Sequence, residues 1–301
     1  MSQTKKAKLM KAKLYIFFVI AVSQFTHAVI PNSEKEALVD FYNHTNGSSW
    51  IVSWDLSRSV STWKGIKIEN NTVTSITLFN NNLSGTIPKS IGELKNLKVL
   101  NLAFNSITGD IPTEITSLNK LIVLRFGKNK FSGKIPKKIG NLTSLVVLDF
   151  FSNKLFGELP QSLGKIKSLK IISMSDNFFS GKIPNELGNL KSLERLELAS
   201  NDLEGVLPNS IGNLTNLNTL VLAENHIDGK FPKTVLSLPN LKIIQLQENN
   251  LDKFYLMKII PTETNIALLD FDVDDVHFKQ YDFRKIQEEK NIRTADTKFE
   301  E

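Results

Sequence analysis

The sequence predicts an α/β solenoid, a coil of like turns that each lend one strand to a parallel sheet, closed at its N-terminal end by a helix. Three observations predict it. Seven glycines, Gly85, Gly109, Gly133, Gly157, Gly181, Gly205 and Gly229, stand 24 residues apart. Eight asparagines, Asn81, Asn105, Asn129, Asn153, Asn177, Asn201, Asn225 and Asn249, keep the same step. Around both columns apolar residues fill fixed offsets. The turn at 97–120 shows Leu97, Leu100, Leu102, Ile107, Ile111, Ile115 and Leu118, and the general form is LxxLxLxxNxLxGxIPxxIxxLxx. Self-similarity at a fixed period marks a repeat architecture, whose single unit cannot bury its apolar face alone. It replaces the two domains that 301 residues would ordinarily suggest.

Each part of the turn has a physical reason. The alternation Leu100-x-Leu102 is the period of a short strand with one buried face. Stacked turns set these strands about 4.8 Å apart in parallel, and the rest of each turn returns across the back over an interior of leucine on leucine. Where the chain leaves the strand it turns inward, and buried backbone groups there need partners. The asparagine side chain offers two donors and an acceptor, enough to satisfy them, so the column becomes a ladder. The Gly-x-Ile-Pro step that follows asks for a residue without side-chain bulk, after which proline fixes φ and removes a donor.

These units resemble the plant-type leucine-rich repeat, the subclass whose turns read NxLxGxIPxxLGxLxx, in eight units over residues 73–264. The resemblance implies a curved right-handed solenoid with a parallel sheet on its concave side, and a second, shorter sheet from the LxGxIP stretch. It also implies a role. Members of the family recognise proteins, peptides, small ligands or glycans on the concave or lateral surface, as polygalacturonase inhibitors and receptor-kinase ectodomains do.

A solenoid must cover its two raw apolar ends. Residues 29–72 read as the first cap. Ser33 with Glu36 forms a capping box, Ala37, Leu38 and Phe41 give an apolar helical face, and Asn46-Gly47 is a stop. Trp50, Trp54 and Trp63 then seal the first turn. The segment 61–68 resembles the CxWxGVxC signature of the plant cap with Ser61 and Ile68 at the cysteine positions, similar to the cysteine-free caps of secreted bacterial proteins. Residues 265–301 read as a degenerate ninth turn, starting one residue late with Ile266, Leu269 and Phe271, with Asp274 in place of asparagine, then Val276. A polar helix around 283–292 and a tail follow.

Ahead of the cap, Lys5, Lys6, Lys8, Lys11 and Lys13 precede the apolar run 14–22, and Thr26-His27-Ala28 places small residues where a signal peptidase reads them. Residues 1–28 are therefore read as a signal peptide cleaved after Ala28, exporting the chain to the cell envelope or beyond, without stable membrane insertion afterwards. Removing its five lysines lowers the formal charge from +6 to +1, which takes away the footprint of a nucleic-acid binder.

Enzyme chemistry does not assemble. There is no cysteine, and the four histidines, His27, His44, His226 and His277, have no metal-ligand spacing. Neither a phosphate loop nor a GxSxG elbow occurs. The acidic run Asp270, Asp272, Asp274 and Asp275 lacks the glycine and glutamate of a calcium loop. The expectation is a non-enzymatic recognition module with no cofactor and no metal, read as a monomer.

What the repeat leaves free carries its specificity. Strand geometry turns the third and fifth positions of LxxLxLxx to the concave side. The third gives Val99, Val123, Val147 and Ile171 in succession, and the fifth gives Arg125 and Asp149. Phe151 stands at the seventh position, and Phe104, Lys128 and Asp176 at the eighth. These ten residues form the candidate ligand face for a protein, peptide or glycan. The alternative is a structural or adhesive envelope protein acting through lateral contacts or self-association.

Overall fold

A computed structural model describes residues 30–260 and 266–272; the leader, Asp274, Val276 and the polar helix at 283–292 lie outside the described residues. The chain is a solenoid with two sheets. The larger has ten strands, opening with the antiparallel pair Ile66–Glu69 and Thr72–Thr77. Parallel strands follow, one per turn, from Val99–Asn101 to Ile243–Gln245 and finally Leu268–Asp270. The smaller has eight short parallel strands, from Ser84–Gly85 to Asn250–Leu251. Between them, most backs carry a short 3₁₀ turn such as Gln161–Lys165, begun after the proline of the repeat.

In the larger sheet, residues one repeat apart lie side by side: Val99 pairs with Val123, Val123 with Val147, Val147 with Ile171, and Ile171 with Arg195. The last strand is offset by one, Ile243 pairing with Leu268, so the late ninth turn still closes the sheet and buries Phe271. The smaller sheet keeps a different register. There Phe156 pairs with Phe178 and Thr108 with Lys130, so neighbours in the sheet occupy different repeat positions.

The core is a continuous column of aliphatic residues, thickened by Phe126, Phe131 and Phe150, whose rings stack with centroids 4.8 and 5.7 Å apart. Beside it runs the asparagine ladder. Asn153 Nδ2 donates to the carbonyls of Phe126 at 3.0 Å, Phe150 at 3.0 Å and Phe151 at 3.2 Å, and its Oδ1 accepts from the Phe131 amide at 3.0 Å. Asn129 and Asn177 repeat the pattern, so the Phe126 carbonyl is held by Asn129 and Asn153, and the Phe150 carbonyl by Asn153 and Asn177. Each asparagine thus ties its own turn to the one before.

The glycine column has a steric reason. Each of these glycines has positive φ, 82° at Gly157 and 77° at Gly133. The side chain after one glycine lies across the next glycine in the stack. A Cβ on Gly133 would stand 2.3 Å from Asp110 Oδ1, and one on Gly181 would stand 3.0 Å from Glu158 Cγ.

The helix Asn32–His44 forms the cap, but not with the predicted capping box: it begins after Pro31 with no side-chain cap bond. Nearby Glu34 is buried instead, and its carboxylate accepts the Val73 amide at 2.7 Å, bonding the helix to the first long strand. Burial raises its pKa above the usual carboxylate value, against the lowering effect of that hydrogen bond. Asn46 adopts φ 54° and ends the helix turn. Trp54 stacks on Trp63 at 4.8 Å and meets Trp50 edge-on at 4.8 Å. All three indole N–H groups find backbone carbonyls, at Thr45, Lys64 and Asp55. At the other end the helix Lys253–Ile259, capped by Asp252 accepting from the Tyr255 amide, takes the place of the lost Gly-x-Ile-Pro step.

Candidate ligand-binding surface

The long sheet lines a concavity of about 520 Å³, reached by side chains from eight successive turns. Of the predicted face, Phe104, Arg125, Lys128, Val147, Asp149, Phe151, Ile171 and Asp176 line this hollow. Val99 and Val123 are half-buried on the same sheet but outside it. Val147 is only 3% exposed, so the third position does not offer one open aliphatic stripe; its middle lies beneath its neighbours.

Two features meet in the hollow. The first is aromatic. Phe79 and Phe104 have centroids 4.9 Å apart, Phe104 and Phe151 6.0 Å, and Lys128 Nζ lies 5.9 Å from the Phe151 ring. Phe151 rests against Gly127, where a Cβ would come within 2.3 Å of its ring. The turn after each long strand demands φ near +55°, and Asn80, Lys128, Ser152, Asp176, Ser200, Glu224 and Glu248 fill that position in the other repeats. Asparagine and aspartate tolerate this conformation, whereas a bulky aromatic there is an outlier. Phe104 nonetheless holds it, at φ 60°.

The second is charged. Along the fifth position Arg125 neighbours Asp149, then come Ser173 and Glu197. Arg195 pairs with Glu197 on its own strand, and its buried Nε has no partner among the described residues. Asp149 accepts the Phe151 amide at 3.2 Å. Burial nevertheless dominates and pushes its pKa up to about 6, with Glu197 adding to the rise and the Phe151 amide, Arg125 and Arg195 opposing it. Phe79, Arg195 and Glu197 thus belong to the surface although the predicted ten omit them. The third and fifth positions of the turn at 193–216 were the signal that could have found the last two.

A pH dependence follows. A carboxyl whose folded pKa lies above its unfolded value binds more protons when folded, so stability falls as pH rises between about 4 and 6. Above pH 6 the ionised Asp149 costs at most about 3 kcal/mol. Denaturation at pH 5 and pH 7.5 should therefore show Asp149→Asn more stable than wild type at the higher pH, with the difference shrinking at the lower. Among the described residues no group of three histidines, aspartates or glutamates could hold a metal ion, and no helix is long and apolar enough to cross a membrane.

Comparison with known proteins places these features in context. Leucine-rich repeat family models match residues 72–94, 96–118, 144–166 and 168–190, and a related one matches 192–251, together about half of the chain. Residues of this chain are 41% identical over 92 positions to the leucine-rich repeat receptor protein kinase EMS1 of Arabidopsis thaliana, covering 30% of this chain and 8% of that protein. The crystal structure of PEPR1-AtPEP1 is similar with a TM-score of 0.69 and 32% identity, over 73% of this chain and 32% of that one. The Arabidopsis receptor kinase HAESA, solved with the peptide hormone IDA and the co-receptor SERK1, is similar with a TM-score of 0.58 and 37% identity, over 67% and 35%. The chain thus covers only 8% of the first of these three and about a third of each of the other two.

Proposed function

Given that this chain belongs to the leucine-rich repeat proteins, we propose that it is a non-catalytic recognition module, exported by its leader, whose concave face binds an extended peptide or protein segment. Within the family it fits the LxGxIP subclass with a cysteine-free cap.

One observation carries the reading: features that cost stability converge on one face. Phe104 sits in a backbone conformation that disfavours it, Asp149 is half-buried with a raised pKa, and the Arg195 Nε is buried without a partner among the described residues. Such costs gather where a surface is shaped for something besides stability. Aromatic anchors beside paired charges are what a hot spot requires. An elongated hollow crossing eight turns suits a linear chain better than a compact ligand, and HAESA was solved holding a peptide hormone.

The test is affinity capture by the purified chain, with Lys128→Glu and Phe151→Ala, both at residues that line the hollow, as variants. Both are expected to keep the folded state and to lose captured peptide by about tenfold or more. Unchanged capture by two well-folded variants would remove the ligand from this face.

A further inference from the structure

The hollow is charged unevenly along its length. On its floor opposite charges offset one another, Arg125 standing beside Asp149 on the next strand and Arg195 pairing with Glu197 on its own. On its rim they separate. Counting turns from residue 73, the left-handed position after each long strand carries Lys128 in the third turn, Asp176 in the fifth and Glu224 in the seventh, all exposed and all lining the hollow. Lys128 lies against the Phe151 ring, so the cation belongs to the aromatic end. Asp176 and Glu224 form no ion pair with another described residue, and the Ser200 hydroxyl between them donates to Glu224 at 2.7 Å.

Between the two ends the floor drops. The position that holds Phe151 in the fourth turn is filled by Ser175, Ala199 and Ala223 in the next three, before Gln247 raises it again. Phe151 therefore stands as a wall at the head of a trough three turns long, with the two carboxylates along its edge.

This layout specifies an occupant. Resting on the reading of the concave face as a peptide site, we infer that the peptide carries an aromatic or aliphatic side chain, seated against Phe104 and Phe151, and a lysine or arginine about four residues away, reaching Asp176 and Glu224. The spacing is geometric. From the turn of Phe151 to that of Glu224 there are three steps of about 4.8 Å, roughly 14 Å, which an extended chain rising about 3.4 Å per residue covers in about four residues. The small side chains of the trough leave room for its backbone. Two carboxylates with no ion pair of their own attract a cation, whereas an acidic residue in that place would meet both and be rejected.

Panning a phage-displayed library of random linear peptides against the purified chain tests it. The wild type is expected to select peptides that share an apolar residue and a basic one at about that spacing. Charge can be reversed here without disturbing the turn, because lysine already holds the same conformation: φ is 56° at Lys128, 57° at Asp176 and 56° at Glu224. Asp176→Lys with Glu224→Lys should keep the apolar preference and select an acidic residue where the wild type selects a basic one. A peptide chosen by the wild type should bind that variant at least about tenfold more weakly. Phe151→Ala should do the converse, losing the apolar preference and keeping the basic one. Peptides that need Phe151 but carry no basic residue at that spacing overturn the inference and leave the peptide site standing. So does a lysine variant that still selects the basic residue. Selection of no peptide that needs Phe151 overturns the inference together with the peptide reading beneath it.

Discussion

Replacing Asn153 by alanine is expected to cost about 3 kcal/mol of stability, read as a lowered denaturant midpoint. The side chain is 8% exposed and makes four hydrogen bonds to buried backbone. The carbonyls of Phe126 and Phe150 keep a second asparagine, Asn129 and Asn177, so their loss is partial. The Phe131 amide donates to the Asn153 Oδ1, and an orphaned buried donor is the expensive outcome. The same change at Asn249 should cost less, because that residue is half-buried and, among the described residues, only a partial turn stacks beyond it. Hydrogen exchange separates the two: Asn153→Ala should raise exchange in the turns on both sides, Asn249→Ala only at the C-terminal end. Equal effects at the two sites would contradict the ladder as a coupling element.

The second large effect is functional. Phe104→Asn should leave stability unchanged or raise it by up to about 1 kcal/mol, while capture of the peptide ligand falls at least about tenfold. Asparagine suits the φ of 60° better than phenylalanine, and Asn80 already fills the equivalent position one turn earlier. What is lost is the bridge between the Phe79 and Phe151 rings. Removing a buried core phenylalanine would instead cost about 3 kcal/mol or more. A loss of that size would place Phe104 among the core residues and take it off the ligand face.

Much of the fold was legible because a fixed period dictates register. If Gly109 and Gly133 are 24 residues apart and each turn gives one strand, Val99 must lie beside Val123, as it does. The late start of the ninth turn was legible for the same reason, and Ile243 meets Leu268. Four things were not. The capping box at Ser33 and Glu36 satisfied a local rule, but a long-range bond from Glu34 to Val73 and the proline before the helix set its start. Strand alternation turned Val147 toward the concave side without showing that larger neighbours would cover it. Finally, the repeat alignment puts Phe156 and Phe178 at different positions, and only the slanted pairing of the small sheet joins them. Likewise the cost of burying Asp149 depends on what surrounds it in space, which no repeat pattern states.

The asparagine bonds also dictate how such a molecule can change length. Asn177 reaches back 27 residues to the Phe150 carbonyl and accepts from the Leu155 amide 22 residues behind, while the long strands match at one full period. An insertion or deletion of a whole period inside the coil leaves every one of these reaches intact, because the incoming turn presents the same carbonyl and amide as the one it displaces. Any other increment leaves an asparagine facing the wrong atoms and turns leucines outward. Lengths accessible to this architecture are therefore quantised, and its reach toward a longer or shorter ligand can grow or shrink only one complete turn at a time.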